Sequence, residues 1–183
     1  MNVPNILSLV RIILIPIFVV GFYLPSGIGR IVASSIFLLA CITDWLDGYL
    51  ARNLNQTTKL GAFLDPVADK LIVAVALVLI VGELHGSYLA IPAAIIVGRE
   101  IIVSALREWM AEIGKRTSVA VSLVGKFKTA AQMAAIVSLL LYKPGDNLTF
   151  LVLGSILLYI AAGLTLWSMI MYIKAARKAM NDE

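Results

Sequence analysis

The stretch Asp44-Trp45-Leu46-Asp47-Gly48-Tyr49-Leu50-Ala51-Arg52, followed after eight residues by Gly61-Ala62-Phe63-Leu64-Asp65-Pro66-Val67-Ala68-Asp69, puts four carboxylates into 26 residues of an otherwise apolar chain. On a helix Asp44 and Asp47 are three apart and share a face, and Asp65 and Asp69, four apart, do the same. Two such helices facing each other surround one cavity with four carboxylates. Unneutralised negative charges in a low dielectric are not tolerated. A cation is therefore expected between them, and hard oxygen donors point to Mg²⁺, Mn²⁺ or Ca²⁺. Gly48 and Gly61 remove side-chain bulk where a ligand or another backbone must come close. The competing reading places the aspartates on a solvated cytoplasmic rim; the paired spacing speaks against it.

The surrounding chain defines the environment. Of 183 residues, 61% are hydrophobic and 14% charged, against about 45–50% and about 25% in soluble domains. This composition predicts an all-α integral membrane protein forming one domain over 1–183. Six transmembrane helices are expected, over 6–24, 31–51, 62–82, 88–110, 119–142 and 147–173, with a polar loop over 52–61. The first apolar run is not expected to be a cleaved signal. Cys41 carries no redox message and suits a small buried hydrophobe. The net charge of +4 follows membrane topology and does not indicate nucleic acid.

The charge-free cores, such as 31–43 and 71–82, fall short of the about 20 residues a span needs. The charged turns must therefore enter the bilayer. With alternating spans, Arg11, Asp44, Asp47, Asp65, Asp69, Lys70, Arg99, Lys126 and Lys128 all fall in one leaflet. Loops on that side carry Arg52, Lys59, Lys115 and Arg116, and Lys174, Arg177 and Lys178 follow the last span; the opposite loops hold only Arg30 and Lys143. The positive-inside rule then puts both termini and a polar di-metal cavity on the cytoplasmic side. Ionisable residues gathered within a membrane are a functional site by default. Paired carboxylates on two helices suit two metal ions about 3.5–4 Å apart and phosphoryl displacement.

The motif D-x2-D-G-x2-A-R-x8-G-x3-D-x3-D, matched at every fixed position, resembles the signature of the CDP-alcohol phosphotransferases. The resemblance implies transfer of a phosphatidyl group from CDP-diacylglycerol to an alcohol, with release of CMP. It implies metal ligation by Asp44, Asp47, Asp65 and Asp69, with Asp69 also the general base and two Mg²⁺ or Mn²⁺ ions as cofactor. Contacts to the CDP end of the lipid are implied for Asn5, Ser8, Gly48, Arg52, Thr58 and Gly61. It further implies a multi-pass protein of the bacterial inner (cytoplasmic) membrane, in contact with membrane lipids and forming a homodimer.

Two further stretches, Arg99-Glu100-Ile101-Ile102-Val103-Ser104-Ala105-Leu106-Arg107 and Gly125-Lys126-Phe127-Lys128-Thr129-Ala130-Ala131-Gln132, resemble family members whose acceptor is sn-glycerol 3-phosphate. Arg99, Arg107, Lys126 and Lys128 are then the candidate acceptor-phosphate contacts. For Arg107 and the lysines the alternative is snorkelling to the interface, and Arg99 could be neutralised by Glu100. Serine, inositol phosphate or phosphatidylglycerol is the alternative acceptor. A metal-dependent lipid phosphatase would not need Gly48, Arg52 and Thr58, and a transporter should show repeats or charge in the outer half. His85 falls on the far side from the carboxylates. Trp45, Trp109 and Trp167 suit packing or interfacial positions. Pro66 is either a first-turn proline capped by Asp65 or a kink that aims Asp65 inward. Lys174, Arg177 and Lys178 read as a basic tail.

Overall fold

A computed structural model describes residues 3–25, 27–54, 59–84, 87–113, 123–145 and 147–181. They form α1 (Val3–Phe22), α2 (Ile28–Leu54), α3 (Lys59–Leu84), α4 (Ser87–Glu112), α5 (Leu123–Leu141) and α6 (Thr149–Asn181), with no strand among them. A helix satisfies its own backbone polar groups, which apolar surroundings require.

Several helix ends differ from the sequence expectation, and three of them bear on the motif and the tail. α2 continues through Leu54 and α3 begins at Lys59, so much of the expected 52–61 loop is helical. Pro66 consequently lies inside α3, which removes the first-turn alternative. Its ring lacks the amide that would donate to the Ala62 carbonyl. α6 runs to Asn181, so Lys174 and Arg177 extend a helix. The apolar run stops at Ile173, but Lys174-Ala175-Ala176-Arg177 contains only good helix formers and no breaker.

The molecule carries apolar residues on both its inside and its outside. Phe18, Phe37, Ile72, Leu77, Ile96 and Leu140 form a buried core, yet Val20, Val78 and Ile101 are each about two-thirds exposed (66%, 68% and 65%). Exposure of large aliphatics on this scale is untenable in water and ordinary in lipid. Among the described residues, α4 and the Thr149–Arg177 part of α6 are each long and apolar enough to cross a membrane. At 27 and 26 residues α2 and α3 have the length, about 40 Å at 1.5 Å per residue, but carry charge towards one end.

α5 packs most extensively on α6, α1 lies against both α2 and α3, and α4 leans on α6. α2 and α3, although consecutive, touch little. The two halves of the aspartate motif are thus held by a third helix rather than by each other. The α5–α6 contact needs Gly154: a Cβ there would lie 2.7 Å from Leu139 Cγ and 3.1 Å from the Leu139 backbone nitrogen. Such small residues let helix backbones approach where hydrophobic burial gives little drive.

Two polar side chains, Arg30 and Tyr159, hold the end opposite the aspartates. Arg30 of α2 donates to Glu83 of α3 and to the Tyr142 carbonyl after α5. By sequence alone Arg30 is a loop charge; in the fold it joins α2 to α3 and to the segment after α5. Pro92, inside α4, leaves the Tyr88 carbonyl without its intrahelical donor. The Tyr159 hydroxyl of α6 donates to that carbonyl at 2.8 Å. Tyr159→Phe is expected to lower stability by about 1 kcal/mol, the cost of an orphaned carbonyl, read as an earlier thermal transition of the detergent-solubilised protein. An unchanged transition would show that the carbonyl finds another donor.

Candidate active site

α1 delivers the first charged group. Arg11 is fully buried, and its Nη1 lies 3.0 Å from Asp44 Oδ1 on α2, whose side chain is 36% exposed. A buried guanidinium in an apolar helix is costly unless paired, and Asp44 supplies the carboxylate. Asp69, half-buried on α3, lies within electrostatic reach of Asp44 and Arg11, and also of Glu100 and Lys70. Cys41, one turn before Asp44, feels the same two aspartates and Arg11. The two halves of the motif therefore converge through Asp44 and Asp69, with Arg11 between α1 and α2.

A second polar group adjoins the first. Lys70, next to Asp69, donates to Ser104 of α4, and the Ser104 hydroxyl donates to the Glu100 carbonyl at 2.6 Å. Glu100 Oε1 lies 2.6 Å from Lys128 Nζ on α5 and 3.0 Å from Arg99 Nη1. Arg99 also donates to Ser168 of α6 at 2.8 Å, and its guanidinium carbon lies 5.8 Å from the centroid of the Tyr172 ring. Four helices, α3 to α6, are joined in this way at the level of Asp69.

The expected site residues divide as follows. Asp44 and Asp69 lie within electrostatic reach of each other, and Arg99 and Lys128 come together around Glu100. Arg107 is exposed near the end of α4, two turns beyond Arg99. The side chains of Asn5, Ser8, Asp47, Gly48, Arg52, Gly61, Asp65 and Lys126 lie outside the described residues, as do Thr58 and His85 altogether. Among the described residues no group of three or more metal-ligating side chains assembles; Asp44 and Asp69 are the two of the four motif aspartates that are described.

By sequence alone Arg11 is only a topological marker. A lone arginine inside an apolar span was itself a signal of function, but its partner is 33 residues away in the chain. By sequence alone Glu100 is only a local counter-charge to Arg99. Its bond to Lys128, and the roles of Ser104, Ser168 and Tyr172, depend on how α4, α5 and α6 meet.

Carboxylates, cations and hydroxyls from all six helices are drawn towards one end of a helical membrane protein and form a polar site there. The chain belongs to the CDP-alcohol phosphatidyltransferase family, whose model matches residues 1–167. It is 54% identical over 182 residues to a CDP-diacylglycerol–glycerol-3-phosphate 3-phosphatidyltransferase of Salmonella typhi, covering 100% of this chain and 98% of the relative. Relatives of the same name from Escherichia coli (strain K12) and Shigella flexneri are each 53% identical with the same coverage.

Proposed function

We propose that this protein transfers the phosphatidyl group of CDP-diacylglycerol to sn-glycerol 3-phosphate, releasing CMP, as a step of phospholipid biosynthesis. The observation that carries the reading is the full-length similarity to relatives bearing that name. The convergence of Asp44 and Asp69 supports it. A hydroxyl oxygen of the acceptor bonds to the β-phosphorus of CDP-diacylglycerol, and the bond from that phosphorus to the bridging oxygen breaks. CMP leaves with the electron pair, and Asp69 takes the hydroxyl proton.

The donors suit hard divalent cations: carboxylate oxygens only, from two helices, with Arg11 as the described partner of Asp44. Asp44, Asp47, Asp65 and Asp69 would hold two Mg²⁺ or Mn²⁺ ions, which supply charge neutralisation on the diphosphate and the transferring phosphorus. Arg11 orients Asp44. Asn5, Ser8, Gly48, Arg52, Thr58 and Gly61 contact the CDP end of the lipid. Arg99, Arg107, Lys126 and Lys128 provide cations for the acceptor phosphate, which needs charge-assisted contacts.

All six helices span the bacterial inner membrane, with both termini and the site on the cytoplasmic side, where the soluble acceptor meets the lipid. The exposed aliphatics face membrane lipid, and the protein works as a homodimer. The test is CMP release from CDP-diacylglycerol by purified protein offered sn-glycerol 3-phosphate, serine, inositol phosphate or phosphatidylglycerol in turn. Turnover is expected with sn-glycerol 3-phosphate; turnover only with another acceptor would reassign the substrate within the family.

A further inference from the structure

Glu100 occupies an unusual position for a carboxylate in a membrane helix. It faces Lys128 at 2.6 Å and Arg99 at 3.0 Å, with only 7% and 11% of those two cationic side chains exposed. Lys70 and Asp69 also lie within electrostatic reach of this group, so three cations face two carboxylates and leave one positive charge in excess. Among the described residues, Arg99 Nε, Gln132 Oε1 and Thr165 Oγ1 are buried without a hydrogen-bond partner. Gln132 is one turn from Lys128 on α5, and Thr165 one turn from Ser168 on α6, so each borders the charged group. Buried polar atoms are rarely left unsatisfied in a folded protein. An excess positive charge beside unused donors and acceptors matches a ligand bearing both an anion and hydroxyl groups.

We propose that Glu100 is a specificity-determining positioning residue: it gathers Arg99 and Lys128 into a pocket of one net positive charge, built to take and then release a hydroxyl-bearing phosphate monoester. The proposal rests on the reading of Arg99 and Lys128 as acceptor-phosphate contacts. The acceptor phosphate is not consumed in the transfer; it departs on the lipid product. The pocket must therefore bind one phosphate and let go of the same group after reaction. Glu100 competes with that phosphate for both cations and takes them back as the product leaves. A neutral polyol offers nothing to replace the carboxylate and is refused. Without Glu100, two uncompensated cations would hold phosphate more tightly and release it more slowly.

The test compares full-length wild type with Glu100→Gln in mixed micelles. Inorganic phosphate binding is measured by calorimetry, and KM and kcat for sn-glycerol 3-phosphate by CMP release. Glu100→Gln is expected to bind phosphate roughly tenfold more tightly, the scale of one charge-assisted hydrogen bond freed from competition. Its KM should fall with its kcat, and Glu100→Asp should return both towards wild type. A purely structural role would lower kcat or yield without tightening phosphate. Unchanged or weaker phosphate affinity in Glu100→Gln overturns the proposal. Should that variant fail to fold, Glu100→Gln/Lys128→Gln retains one positive charge from Arg99. It is expected to bind phosphate more tightly than Lys128→Gln alone, because Arg99 is then freed of its carboxylate, and equal or weaker binding overturns the charge-setting role. If wild type binds phosphate but does not use sn-glycerol 3-phosphate, the acceptor reading fails while the calorimetric comparison still decides the role of Glu100.

Discussion

Asp69→Asn is expected to cut CMP release by roughly 10²–10⁴-fold, the range for losing a general base, while CDP-diacylglycerol remains bound. The acceptor hydroxyl must lose its proton as it attacks phosphorus. A carboxylate accepts that proton and an amide of the same shape does not. Asp69 is half-buried on α3, one helical turn from Asp65 and within electrostatic reach of Asp44, Arg11, Lys70 and Glu100. It thus interacts electrostatically both with Asp44 and with Glu100 of the Lys128–Glu100–Arg99 group. Asn retains one oxygen donor, and three motif aspartates remain, so substrate binding should survive in weakened form. The measurement pairs CDP-diacylglycerol binding at saturating Mn²⁺ with CMP release by the same preparation. Binding retained with near wild-type release would assign the proton to a different acceptor.

Exhaustive chelation of divalent cations should abolish turnover, with recovery on adding Mg²⁺ or Mn²⁺. The physical reason is charge. The motif gathers four carboxylates into 26 residues, and Arg11 brings a single guanidinium to Asp44 at 3.0 Å. Lys128 and Arg99 are engaged by Glu100. Arg11 and Lys70 together cannot balance the four carboxylates of the motif. Full turnover after chelation would refute the metal reading. It would leave Arg11 and the neighbouring lysines as the cations that meet the diphosphate.

The aspartate motif was legible because its information is local. Spacings of three and four residues fix a shared helix face whatever the rest of the chain does. The all-helical fold was legible for the same reason: long apolar runs leave the backbone no other way to satisfy its polar groups in lipid. The Arg99–Glu100 contact was foreseen because the two are neighbours in the chain. Element ends were less legible. Nothing in Arg52-Asn53-Leu54 or Lys174-Ala175-Ala176-Arg177 forbids a helix, and polarity alone was an unreliable stop signal.

Tertiary structure decided which charges answer each other. Arg11 meets Asp44 because α1 packs along α2. Lys128 of α5 reaches Glu100 of α4 across the bundle, and Arg99 reaches Ser168 because α4 packs on α6. Arg30 joins Glu83 and Tyr142 across the opposite end, and Tyr159 answers the carbonyl that Pro92 orphans 71 residues away in the chain. Helical periodicity states which face a residue occupies but not which helix that face will meet. That choice is made by close approach at positions such as Gly154, where absence of a Cβ lets α5 and α6 touch, and by the need of every buried charge for a partner.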